Sequence, residues 1–219
     1  MFFIILLKNN LSCVIMQDKR DHIKLICGIS ELVGLFTYST SLETFLQRVV
    51  ETVARHMKTD VCSVYLFYEH SEELILKATV GLNHEFVGNV KLKLNEGLTG
   101  LALKELRPIC ERYASRNPNF VYFPGLGEER YESFLAVPII RGNVKIGVMV
   151  VQNTIKNYFC ERDVSALQAI TSQLANVIEM RRFISSFKEN RSRPKNNISG
   201  TRNLKFVKGK VGSPGGSFW

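Results

Sequence analysis

The side chains able to do chemistry in this 219-residue sequence are scattered, and their spacing excludes more than it permits. Five cysteines (Cys13, Cys27, Cys62, Cys110, Cys160) and four histidines (His22, His56, His70, His84) lie far apart along the chain. No two cysteines form a CxxC pair, so neither a zinc knuckle nor a thioredoxin-type motif is available, and no metal site is expected. An odd number of dispersed cysteines fits reduced thiols in a cytosolic protein. The tightest charged group is Glu128-Glu129-Arg130. Beside a pocket, such a cluster can orient a polar ligand, with Arg130 holding a carboxylate through two N–H donors. The commoner role of such a cluster is a solvated or structural ion pair. Gly97 and Gly100 resemble a phosphate cradle only superficially: neither GxGxxG nor GxxxxGK occurs, and a GxxG pair is common where helices begin. The residues assemble no catalytic site and no cofactor motif.

Charge narrows the partners. The formal net charge is +9, yet ten of the 29 Lys and Arg, and a single acidic residue (Glu189) of the 20, fall between Arg181 and Trp219, so residues 1–180 hold nineteen of each sign. A nucleic-acid role would rest on this tail alone, because phosphate binding needs a concentrated basic surface. Its Asn, Ser and Gly content reads instead as a flexible linker, and no nucleic-acid partner is expected. At the other end, the apolar runs Phe2–Leu7 and Leu11–Met16 fall far short of the roughly 20 residues a spanning helix needs, so no membrane partner is expected. They also lack a basic region before them and a small-residue cleavage site after them. Met16, followed by QDKRDHIK, reads as a better start, which makes residues 1–15 an expected start-site artefact.

The elements that must position any site follow from periodicity. Ile23, Ile26, Cys27, Ile29, Leu32, Val33 and Phe36 recur at helical spacing. Ser41 is a plausible N-cap for a second helix to about Met57, with Phe45, Leu46, Val49, Val50 and Val53 inward. VCSVYLFY at 61–68 predicts a buried strand, 74–79 a second and Asn89–Leu94 a short third. A small helix is predicted over Leu98–Leu106 and an extended piece over Pro108–Glu111. The long stretch Arg112–Tyr131, rich in Asn, Pro, Gly and aromatics, has the size of a lid or binding loop. Strands at Ser133–Ile140 and Lys145–Gln152 flank a hairpin signal at Arg141-Gly142-Asn143-Val144. A final amphipathic helix follows Asp163, carrying Val164, Leu167, Ile170, Leu174, Val177 and Ile178 on one face, and continues through Phe183 to Phe187. With hairpin connections and no βαβ alternation, the fold class is α+β, an antiparallel sheet of five to six strands flanked by helices.

The order VCSVYL, ATVGLN, LNEGLTGLA, NPNFVYFP, GEERYESFLAVPII and GVMVVQ resembles a GAF domain. More closely, it is similar to the N-terminal GAF domain of the nitrogen-related phosphoenolpyruvate-protein phosphotransferases, enzyme I of the nitrogen phosphotransferase system, over about residues 20–185. The specific part is EERYESFLAVPII with NPNF and YFP upstream. FVKGKVGSPGG, at Phe206–Gly216, resembles the opening of the enzyme I body, which the sequence does not continue. The expected organisation is therefore an N-terminal extension at 1–17, a GAF domain at 18–188, and at 189–219 a basic linker with the start of an enzyme I region. The phosphohistidine and the phosphoenolpyruvate-binding barrel of that family would lie beyond Trp219, which implies a truncated or frame-shifted gene, or else a free-standing regulator.

The resemblance implies a ligand pocket between one sheet face and the cover formed by Gly97–Tyr131. Alternate strand positions supply a candidate floor, Tyr65, Thr79, Phe134, Ala136 and Gln152, and Tyr113, Tyr122 and Arg130 are candidates to close the lid. Tyr65, Phe134 and Ala136 also read as ordinary core. The implied function is regulatory and not enzymatic: a small-molecule effector, glutamine or 2-oxoglutarate, controls phosphotransfer through the terminal helix, in a homodimer built on the first and last helices. A GAF-fold methionine sulfoxide reductase would be the enzymatic reading, but Cys62, Cys110 and Cys160 lack that family's spacing. Two further readings are a DNA-binding regulator using the tail, and a stand-alone signalling module acting on a separate partner.

Overall fold

The computed structural model describes residues 27–30, 41–121 and 123–192, with the backbone alone from 185 to 192. Residues 27–30 are helical, and Ile29 is fully buried in the main core. This is the described part of the helix predicted over 23–36; the remainder of that prediction, the extension and the basic tail lie outside the described residues.

Helix α1 spans Leu42–Met57. It begins where the sequence suggests: Ser41 is extended, and its side chain accepts the Thr44 N–H at 3.1 Å. It ends at Lys58, whose φ of 53° turns the chain out of the helix. Strand β1 (Val61–Tyr68) follows, then β2 (Glu73–Val80), β3 (Lys91–Lys93), helix α2 (Gly97–Glu105), and strands β4 (Ile109–Glu111), β5 (Ser133–Arg141) and β6 (Val144–Asn153). Helix α3, Glu161–Ser192, is 32 residues long, or about 48 Å at 1.5 Å per residue. The buried Asp163 accepts the N–H of Cys160 at 2.8 Å, holding the residue that precedes the helix to its first turn.

The six strands form one sheet in the order β3-β2-β1-β6-β5-β4, with every pairing antiparallel. Because successive side chains alternate between faces, the sheet serves two cores. The helix face carries Cys62, Val64, Leu66, Leu135, Val137, Met149 and Val151 against Ile29, α1 and the buried side of α3. The opposite, lid face carries Val61, Tyr65, Phe67, Phe134, Ala136, Val148 and Val150 beneath α2 and the loop after β4. No helix among the described residues is long and apolar enough to cross a membrane.

The second glycine of EGLTG has a packing role. A Cβ on Gly100 would stand 2.2 Å from the carbonyl oxygen of Lys93, so only glycine lets α2 seat on the end of β3.

Candidate functional site

The loop between β4 and β5 is tied down at both ends. The N–H of Ala114 donates to the Glu132 oxygen at 2.7 Å, and Asn117 donates to Glu111 at 2.9 Å. Further along, the Asn83 N–H donates to the Leu126 oxygen, and the Tyr131 hydroxyl donates to the Gly81 oxygen at 3.1 Å. Between these anchors Phe120 and Phe123 pack onto the lid-face core, while Val121 stays exposed.

Beneath them Tyr65, Leu98, Thr99, Phe120, Phe123, Glu128 and Phe134 enclose a cavity of about 10 Å³, room for about one water molecule. Two groups make this space polar. Glu128 is 7% exposed, and its carboxylate accepts from Gln152 Nε2 at 3.1 Å and from the Phe123 N–H. Burial pushes its pKa up to about 7, against the opposing pull of those two hydrogen bonds. Burial, and then the charge of Glu128, also holds the Tyr65 phenol well above its usual range. At the other side α2 begins. Its first N–H groups have no intrahelical partners, and Glu96 does not cap them because its carboxylate accepts the Lys93 N–H instead. The cavity therefore sets a buried carboxyl facing a helix N-terminus, with no basic residue among the described lining.

All five floor candidates share the lid face: Phe134 pairs with Gln152, Ala136 with Val150, Tyr65 with Val148, and Ser63 with Thr79. Tyr65 and Phe134 line the cavity, and Gln152 reaches it through Glu128. Thr79 is buried with its hydroxyl 2.7 Å from that of Ser63, and Ala136 sits opposite Ile109; neither lines the cavity. The structure does not bring Tyr113 and Arg130 to it. The Tyr113 ring lies beneath Arg116 and Lys156 beside a separate open depression, and the exposed Arg130 stacks on Tyr131 and donates to its hydroxyl at 2.7 Å. Tyr122 lies outside the described residues. Of the adjacent charges it is Glu128 that turns inward. The sequence marks it only as part of a cluster and does not single out Leu98, Thr99, Phe120 and Phe123. The aromatic run NPNFVYFP is the available signal for the last two.

A family model described as GAF domain matches residues 39–179. The phosphoenolpyruvate-dependent phosphotransferase system protein of Escherichia coli (strain K12) is 31% identical over 163 residues, which is 74% of this chain. The match spans only 22% of that protein's length. Among solved structures, the GAF domain of a phosphoenolpyruvate-protein phosphotransferase from Coxiella burnetii superposes with a TM-score of 0.69 at 31% identity, covering 75% of this chain and 96% of that one. The corresponding Acinetobacter domain gives 0.66 at 34% identity, covering 75% and 97%. Two lines thus converge, a six-stranded antiparallel sheet between helices and lid, and relatives that match over its whole extent: the chain belongs to the GAF domain family, and its GAF domain is of the kind found in phosphoenolpyruvate-protein phosphotransferases.

Proposed function

We propose that this chain is the small-molecule-sensing regulatory domain of a nitrogen-related phosphoenolpyruvate-protein phosphotransferase, working in the cytoplasm and controlling phosphotransfer carried out outside the GAF domain. The effector is a nitrogen-status metabolite bound between sheet and lid. Tyr65, Phe134 and Gln152 form its floor, with Glu128 as the polar anchor and Thr79, Ala136, Tyr113, Tyr122 and Arg130 more remote. The observation that carries this reading is the buried Glu128 carboxyl, with no cation beside it among the described lining residues. Of the two ligands that the family resemblance implies, this favours glutamine. Its ammonium suits Glu128, and its carboxylate suits the uncapped start of α2. The two carboxylates of 2-oxoglutarate would meet Glu128 with no compensating cation.

Because about 10 Å³ admits no amino acid, binding requires Phe120 and Phe123 to move away from the sheet. The signal then depends on the ligand binding two arrangements of α3 with different affinity. We assign α3, together with the helix containing Ile29, as the face of a homodimer, since Met180 and Phe183 stand exposed on α3.

Isothermal titration of the 219-residue chain with glutamine and with 2-oxoglutarate tests this. Saturable glutamine binding that Glu128→Gln weakens supports it. Tighter 2-oxoglutarate binding overturns the ligand assignment, and no binding of either overturns the sensing role at this cavity.

A further inference from the structure

Two thiols remote from the lid-face cavity stand on neighbouring, hydrogen-bonded segments at the far edge of the sheet. In β4, Ile109 faces the lid opposite Ala136. Cys110, the next residue, therefore faces the helices opposite Leu135, which belongs to the same core as Phe159 and Leu167. Cys160 stands at the start of α3. The segment leading to it is laced to this edge: the Asn157 N–H donates to the Arg112 oxygen at 3.3 Å, and the Tyr158 N–H donates to Ser133 Oγ at 3.0 Å. The Cys160 N–H is then held by Asp163. Both Asp163 and Cys160 act electrostatically on the Cys110 thiol, consistent with this placement. Cys110 is exposed and Cys160 half-buried, whereas Cys62 is sealed within the helix-face core. Strand β4 is three residues long and pairs on one side alone, with β5, so it can give way at little cost in hydrogen bonds.

We propose that Cys110 and Cys160 are an oxidative modification site, joined as a reversible intrachain disulfide by exchange with a small disulfide such as glutathione disulfide. One protein thiolate attacks a sulfur of glutathione disulfide, breaking its S–S bond and expelling one glutathione thiolate. The second protein thiolate attacks the protein sulfur of the mixed disulfide, forming the Cys110–Cys160 bond and expelling the other. The two protein sulfurs are oxidised, glutathione disulfide is reduced, and the two thiol protons end on the two glutathione molecules. Although the residue as a whole is exposed at the sheet edge, desolvation of its sulfur first, and then Asp163 and Glu111, hold the Cys110 thiol protonated, its pKa pushed up to about 11. Exchange therefore answers sustained oxidation and quickens as pH rises. The bond would staple the strand that feeds the lid, at Arg112, to the first turn of α3. It forms whether or not a ligand occupies the lid-face cavity.

The test uses the whole chain, incubated with glutathione disulfide, alkylated and digested. The expected result is a peptide carrying Cys110 linked to one carrying Cys160, an intact mass lower by two hydrogens, and reversal by dithiothreitol. Cys110→Ser and Cys160→Ser should each abolish the linked peptide. Separate glutathione adducts on Cys110 and Cys160 with no link between them, or a link that pairs either one with Cys13, Cys27 or Cys62 instead, overturn the proposal.

Discussion

Replacing Glu128 with Gln isolates the one strongly perturbed carboxyl of the cavity. In the folded protein its pKa stands at about 7, against an ordinary value of 4.5. Between those two pH values the folded state keeps a proton that the unfolded chain has lost. Stability is therefore fully present below about 4.5 and declines as pH rises through 7. At 1.36 kcal/mol per pKa unit the loss amounts to about 3 kcal/mol by pH 8. With 7% of Glu128 exposed, solvent screening removes little of it. Gln keeps the shape and an oxygen to accept from Gln152, but it does not ionise. The parent chain should accordingly lose about 2.5 kcal/mol relative to Glu128→Gln between pH 5 and pH 8. Urea unfolding followed by far-ultraviolet circular dichroism at pH 5, 6, 7 and 8 reads the difference directly, and taking the two proteins together cancels every other titrating group. Parallel profiles would refute the buried-carboxyl argument and, with it, the electrostatic basis of the proposed ligand site.

Three further outcomes follow from the packing. Gly100→Ala should destabilise the fold by about 2 kcal/mol or more, since its methyl would meet the rigid Lys93 carbonyl at 2.2 Å; a thermal midpoint unchanged from the parent would show that α2 slides freely on β3. Asp163→Ala removes the buried acceptor for the Cys160 N–H and should lower stability by about 1–2 kcal/mol, measured by urea unfolding. The Arg141–Glu179 pair links the β5–β6 hairpin to α3 with Arg141 largely exposed, so a double-mutant cycle should find a coupling under about 1 kcal/mol, and a larger one would mean that the hairpin clamps the helix.

Much of the scaffold was legible because its signals are local. Ser41 as N-cap, the inward stripe of α1, and the strand runs at 61–68, 133–140 and 145–152 each depend on a few neighbouring residues, and they stand where the sequence places them. Alternation put Tyr65, Phe134, Ala136 and Gln152 on one face, and Thr79 joins them through the irregularity in the β1–β2 register that skips a residue between Leu76 and Ala78. The third strand is shorter than the alternation over Asn89–Leu94 suggests. The Gly88 N–H donates to the Leu76 oxygen and the Val90 oxygen accepts from the Leu76 N–H, so the chain is held by these bonds before the regular ladder begins at Lys91. The choice among Glu128, Glu129 and Arg130 is not local at all. It is made by a turn at Gly127, with φ of 90°, and by Tyr131 docking its hydroxyl on Gly81, 50 residues away in sequence. These fix which side chain faces inward, and no window of the sequence contains both partners.

If the proposed sensing role holds, the same geometry offers a path from the cavity on one face of the sheet to a helix on the other. Side chains do not pass through a sheet, but adjacent residues of a strand face opposite sides. Gln152 bonds Glu128 on the lid face. Its neighbour Asn153 bonds, on the opposite side, the Lys58 oxygen at the end of α1 at 3.3 Å. The same carbonyl takes the Tyr158 hydroxyl at 2.8 Å, and Tyr158 lies three residues before the start of α3. On the proposed function, a ligand taking over Glu128 would release Gln152, and a displacement of the end of β6 would be felt one residue later by the group joining α1 to the approach of α3. On that proposal the coupling runs around the end of the sheet, where Asn153 closes the ladder opposite Ser133 and its oxygen accepts the Glu132 N–H, and not through the central strands.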